Sequence, residues 1–128
     1  MPATLLSVAG IKVPEHFKGY DITGEVSREA VYIQISESQC ARSIRTKNYK
    51  YSVAVPTYVA GMTLDSSPIY IEDYLYDLNA DPTERHNLIK DPKYKQVRKK
   101  LKNILLAEMK KAEDKSVIIL PAVISKKK

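Results

Sequence analysis

Residues 41–55 read Ala41-Arg42-Ser43-Ile44-Arg45-Thr46-Lys47-Asn48-Tyr49-Lys50-Tyr51-Ser52-Val53-Ala54-Val55. Ala41, Ser43 and Arg45 alternate with Arg42 and Ile44, which is the period of a strand. Thr46-Lys47-Asn48 supplies a turn, and Tyr49, Tyr51, Val53 and Val55 line one face of the returning strand until Pro56 ends it. The stretch is a β-hairpin, and a hairpin needs neighbours. Upstream, residues 31–35 alternate in the same way, with Val31, Ile33 and Ile35 on one face and Tyr32 and Gln34 on the other. Downstream, Pro56, Gly61, Ser66, Ser67 and Pro68 mark residues 56–69 as a loop. Residues 74–78 alternate again, with Tyr74, Tyr76 and Leu78 on one face, and Asn79-Ala80-Asp81-Pro82 turns the chain.

Asp91-Pro92 then starts a helix, with Asp as N-cap and Pro at the first helical position. Tyr94, Val97, Leu101, Ile104, Leu105 and Ala112 fall on one helical face, with Lys95, Lys99, Lys102 and Lys110 elsewhere. Residues 1–9 form a short apolar helix stopped by Gly10, followed by a loop through Pro14 and Gly19. Residues 116–124 are apolar but interrupted by Pro121; they are either a short strand on the sheet or a sticky end. The expected class is α+β: a small antiparallel sheet of three to four strands packed by one long C-terminal amphipathic helix. Burying the helix stripe contributes on the order of 10 kcal/mol before entropy is counted.

With 128 residues, 44% apolar and 28% charged, the chain suits one domain with its own core. The single cysteine, Cys40, excludes an internal disulfide and a cysteine-held zinc. No apolar stretch approaches the roughly 20 residues of a membrane helix. Residues 1–10 have no cationic start, so they do not read as a signal peptide. The net charge of +6 is uneven: residues 1–89 are net acidic, and the excess base sits in residues 90–115 and in Lys126, Lys127 and Lys128.

Catalysis needs a constellation, and the residues offer few. His16 and His86 stand apart in polar loops, and four scattered glycines cannot cradle a phosphate. Cys40 has no identifiable base and reads as a buried or half-buried thiol. Glu72, Asp73, Asp77, Asp81 and Glu84 lack the spacing of a calcium loop; Asp77 and Asp81 are expected to bond backbone amides. Arg42, Arg45, Lys47 and Lys50 surround the hairpin. Arg42 and Arg45 fall on opposite faces, so they do not form one clamp; a guanidinium there suits either an anion or a rim carboxylate. The basic helix has no helix-turn-helix companion and few aromatics on its polar face, so no nucleic-acid partner is expected.

Three runs together resemble sulfatases. Arg42-Ser43-Ile44-Arg45-Thr46-Lys47-Asn48-Tyr49-Lys50-Tyr51 is similar to their R-x-x-R-T-x-x-[YW]-K-Y strand pair. Residues 75–88, from Leu75-Tyr76-Asp77-Leu78 through Asp81-Pro82 and Glu84 to Asn87-Leu88, resemble L-Y-D-L-x-x-D-P-x-E-x-x-N-L. Residues 3–14 resemble the P-T-L-L-x-L-A-G-I-x-x-P segment that closes the catalytic domain. The runs keep the family's order across residues 3–88, and the helix after Pro92 fits as well.

The resemblance implies a C-terminal subdomain beside a larger catalytic domain. Residues 1–24 would be the end of the catalytic-domain segment and a linker, 25–115 the subdomain, and 116–128 a tail. It makes Arg45, Tyr49, Lys50, Tyr51, Tyr76, Asp77, Leu78, Asp81, Pro82 and Asn87 scaffold, with Glu84 bracing the turn. Sulfatases use calcium and a formylglycine made in C/S-x-P-x-R. Here Cys40 is followed by Ala41-Arg42-Ser43-Ile44, and Ser66-Ser67-Pro68-Ile69-Tyr70 lacks the arginine. No catalytic residue, metal ligand or cofactor is therefore expected in this chain, and no activity from it alone. The expected partner is the missing N-terminal catalytic domain, commonly periplasmic or secreted in the family. A stand-alone interaction or dimerisation module is the alternative, through bare Leu5, Leu6, Val8 and Ile11. If the chain touches substrate, the expected place is the loop at residues 38–42, with Ser38, Gln39 and Arg42 facing an anionic sugar or sulfate.

Overall fold

Alternating side chains and a capped amphipathic stripe place the elements close to where the sequence puts them. The structure is a computed structural model, and it describes residues 2–17, 19–24, 28–36, 39–56, 64–113 and 116–122. Helix α1 spans Pro2–Val8. It is followed by β1 at Ala30–Ile35, β2 at Ala41–Thr46, β3 at Tyr49–Ala54 and β4 at Ile69–Asp77. A single 3-10 turn at Pro92–Tyr94 leads into α2 at Lys95–Glu113, and β5 at Ile118–Leu120 closes the described chain. The strands lie in the order β1-β2-β3-β4-β5. The first four pair antiparallel, and β5 pairs parallel to β4.

The α+β architecture is the expected one, and the sheet is one strand larger. Residues 118–120 resolve the two readings of the tail: they form a strand, because Ile119 enters the core at 4% exposure. Strand β4 begins at Ile69, five residues before the alternation read from the sequence. A β-bulge explains the mismatch. Ser52 pairs with Tyr74 and Val53 with Glu72, leaving Asp73 without an opposite residue. The bulge reverses parity, so Tyr70 and Glu72 face the core before it and Leu75 after it. Tyr74 and Tyr76 do share a face, but it is the one turned away from α2. In β1 likewise, Ala30 and Tyr32 pack on the core, and Val31 is exposed.

The core lies between one sheet face and α2. Ile44, Tyr51 and Leu75 stand side by side in register on neighbouring strands, fully buried beneath Leu101, Leu105 and Met109. The buried helix face thus includes Met109, four residues beyond Leu105, whereas Ala112 is exposed. The caps follow their chemistry. Asp91 accepts from Lys93 N–H at 2.9 Å. Gly10, at φ 71°, ends α1 with Gly10 N–H bonded to Ser7 O and Ile11 N–H to Leu6 O, a Schellman closure. The hairpin turn uses no positive φ; Thr46 Oγ1 holds it, accepting from Tyr49 N–H at 3.0 Å. No described helix is long and apolar enough to cross a membrane.

Two core tyrosines predict a pH dependence. Burial pushes Tyr70 up to about 12, helped by its contact with the Cys40 thiol. Burial, followed by the Glu72 carboxylate, pushes Tyr51 higher still. Their folded values exceed the unfolded one, so their contribution is complete below about pH 10 and is lost as pH rises through about 12. Denaturant midpoints should hold steady up to pH ~10 and fall above it. The last tyrosinate absorbance should appear together with the loss of circular dichroism.

Candidate functional site

The hairpin and the 75–88 run meet at Glu84. Arg45 and Lys50 stand directly opposite each other on β2 and β3, on the face away from α2. Both reach Glu84: Arg45 Nη1 lies 3.1 Å from Oε1, and Lys50 Nζ pairs with Oε2. Glu84 takes a φ of 56°, a left-handed conformation that costs an L-residue about 1 kcal/mol. The two cations hold the turn in that conformation. Asp81 accepts from His86 N–H at 2.7 Å and from Thr83 Oγ1 at 3.2 Å. The His86 amide is the main reason that its carboxyl sits below the usual range. Asp77 accepts from the N–H groups of Asn79 and Ala80, and Tyr76 stacks on Tyr74 with centroids 5.7 Å apart. Pro82 lies in the turn between Asp81 and Glu84, and Leu78 N–H donates to Asn48 O.

Asn87 completes the sheet. Its Oδ1 accepts from Leu75 N–H at 3.1 Å and Ile89 N–H at 3.0 Å, and its Nδ2 donates to Asp73 O at 2.9 Å. The side-chain amide therefore behaves as a piece of strand backbone beside the bulge, and Leu88 N–H bonds Leu75 O just beyond it. Strand β5 covers the other half of the same edge. The exposed edge that β4 would present is thus paired along both halves.

The acidic residues do not converge on a cation. Asp77 and Asp81 serve turns, Glu84 is ion-paired, and Glu72 points into the core. Among the described residues, no group of three or more His, Cys, Asp or Glu could hold a metal ion. Cys40 is 2% exposed, with Sγ 3.7 Å from the Tyr70 hydroxyl. The described residues therefore fit neither a calcium site nor a formylglycine, and no chemistry is derived through either.

The residues expected to face substrate lie in different settings. Ser38 lies outside the described residues, and Gln39 is exposed. Arg42 is fully buried. Its Nη1 donates to Ala41 O at 2.8 Å and Ile35 O at 3.2 Å, its Nη2 to Asp65 O at 2.7 Å, and it sits 5.7 Å over the Tyr70 ring. Tyr70 in turn receives Ser67 N–H. Arg42 and Tyr70 thereby tie the loops on either side of β2 and β4 together at one end of the sheet. Arg45 is on the opposite face, as the alternation requires.

One buried polar centre escaped the sequence reading. Glu72 Oε1 accepts from Tyr51 OH at 3.1 Å and lies 3.6 Å from Arg98 Nε, while Oε2 accepts from Ala122 N–H at 3.3 Å. Lys102 Nζ adds a bond to Ile119 O. A carboxylate directly after the apolar run Ile69-Tyr70-Ile71 was the available signal, since such a group, if buried, needs a partner.

Sheet, bulge and helix define an α+β domain whose marked residues brace turns and edges. The pattern of the family described as N-sulphoglucosamine sulphohydrolase, C-terminal, matches residues 1–111, and the chain belongs to that family. It is 28% identical over 111 residues to the uncharacterized sulfatase YidJ of Escherichia coli, covering 87% of this chain and 22% of YidJ. It is 26% identical over 129 residues to an uncharacterized protein of Haemophilus influenzae, covering 89% of this chain and 56% of that protein. A solved structure of a 2-O GAG sulfatase superposes with a TM-score of 0.64 at 27% identity, over 87% of this chain and 24% of that one. The chain thus spans about half of one of these relatives and about a quarter of the others.

Proposed function

We propose that this chain is the C-terminal subdomain of a sulfatase, a sulfuric ester hydrolase, and that it braces an N-terminal catalytic domain and walls part of its substrate cleft. Residues 1–24 are the end of the catalytic-domain segment and its linker, 25–115 the subdomain, and 116–128 its tail, of which β5 joins the subdomain's sheet. One observation carries the reading: α1 and the turn after it expose Leu5 at 65%, Val8 at 72% and Ile11 at 56%, beside buried Ala3 and Thr4. An apolar patch of this kind calls for a cover. The open sheet face adds Val31 and Tyr74. At the cleft, Ser38 and Gln39 are the residues proposed to contact the sulfated substrate, and buried Arg42 holds the end of β1 through Ile35 O.

The test is a chimera in which this chain replaces the matching region of YidJ. The chimera should hydrolyse a small aryl sulfate, the chain alone should not, and Leu5→Asp/Val8→Asp should abolish the chimera's activity. A folded but inactive chimera, or hydrolysis by the chain alone, overturns the reading. The same bare residues also suit a self-association module; sedimentation as a clean monomer at high concentration removes that alternative.

A further inference from the structure

We propose that the outer face of α2 is a docking surface for a sulfated polysaccharide. The inference rests on the sulfatase reading for the identity of the polyanion and on the helix for the site. Residues 90–115 carry the positive surplus of a chain whose first 89 residues are net acidic. Leu101, Leu105 and Met109 point into the core, so Lys99 and Lys110 lie on the far side of the helix and Lys95 on its flank, all exposed. They form a row about 22 Å long. Among the described residues none of the three makes an ion pair, in contrast to Lys111, which pairs with Glu108 at 2.6 Å. Exposed Lys100 adds a further charge on the far side.

A linear polyanion carries condensed cations, and lysines without carboxylate partners that neutralise its sulfates release them to solution. The shape favours a flexible single chain over duplex DNA. The helix is packed on the sheet from Val97 to Met109, so it presents a low convex ridge and does not project into a groove. No aromatic side chain interrupts the row to stack a base. The row also lies across the sheet from the open face carrying Val31 and Tyr74, so a catalytic domain covering that face leaves it accessible.

Heparin is the probe. The full chain should bind it at about 0.15 M salt. Lys95→Gln/Lys99→Gln/Lys110→Gln should weaken binding by roughly tenfold or more and flatten its salt dependence. Lys126→Ser/Lys127→Ser/Lys128→Ser removes the same charge elsewhere and should weaken it much less. Equal losses in the two variants would overturn the proposal, as would duplex DNA binding as tightly as heparin or no heparin binding at that salt. The aryl sulfate activity of the YidJ chimera does not draw on this row, so its loss would indict the subdomain reading and leave the docking surface standing.

Discussion

Arg42→Ala should cost about 3–5 kcal/mol of stability, the sum of several lost charge-assisted hydrogen bonds and the cavity left behind. The side chain is fully buried, and its guanidinium donates to the carbonyls of Ala41, Ile35 and Asp65. Alanine leaves these acceptors without their donors and opens a cavity beside Tyr70. For a domain held by roughly 5–15 kcal/mol this is a third or more of the total. Arg42→Lys keeps the charge but not the planar fork, and should still lose about 2 kcal/mol. Denaturant midpoints of the two variants check this. Unchanged midpoints with weakened sulfate binding would instead make Arg42 a solvent-facing anion ligand.

Glu72→Ala should cost about 2–4 kcal/mol and loosen the end of the chain. The carboxylate satisfies the Tyr51 hydroxyl, faces Arg98 and receives the Ala122 amide. Without it, Tyr51 keeps a buried hydroxyl with no acceptor, and β5 loses one of its fastenings. Amide exchange at Ile118, which donates to Pro68 O, should speed up more than exchange in β2 or β3. Glu72→Gln still accepts hydrogen bonds and should lose less than half as much. A change within 0.5 kcal/mol in Glu72→Ala, the range of an ordinary surface substitution, would show that the cluster contributes nothing to stability.

Most elements were legible because their signals are local. The hairpin follows from the alternation at residues 41–55, and the helix start from Asp91-Pro92. The Asp77 and Asp81 turns follow from the short reach of an aspartate to its own backbone. The placement of Arg42 was not legible. Alternation separates it from Arg45 but cannot say which face of the hairpin the helix covers, so an inward arginine and an anion-binding one look alike in the sequence. The Asp73 bulge was hidden for a related reason: a residue without a cross-strand partner is defined only by the partner strand.

The sequence by itself determined that this is an α+β domain with a hairpin and a capped helix, and that it resembles the end of a sulfatase, because periodicity, caps and motifs are written along the chain. The tertiary structure alone decided which sheet face is core, that β5 pairs parallel to β4, that Asn87 stands in for strand backbone, and that Glu84 and Glu72 each gather partners from distant segments. Those are contacts between residues up to 50 positions apart, and the energy that selects them exists only once the chain has closed on itself.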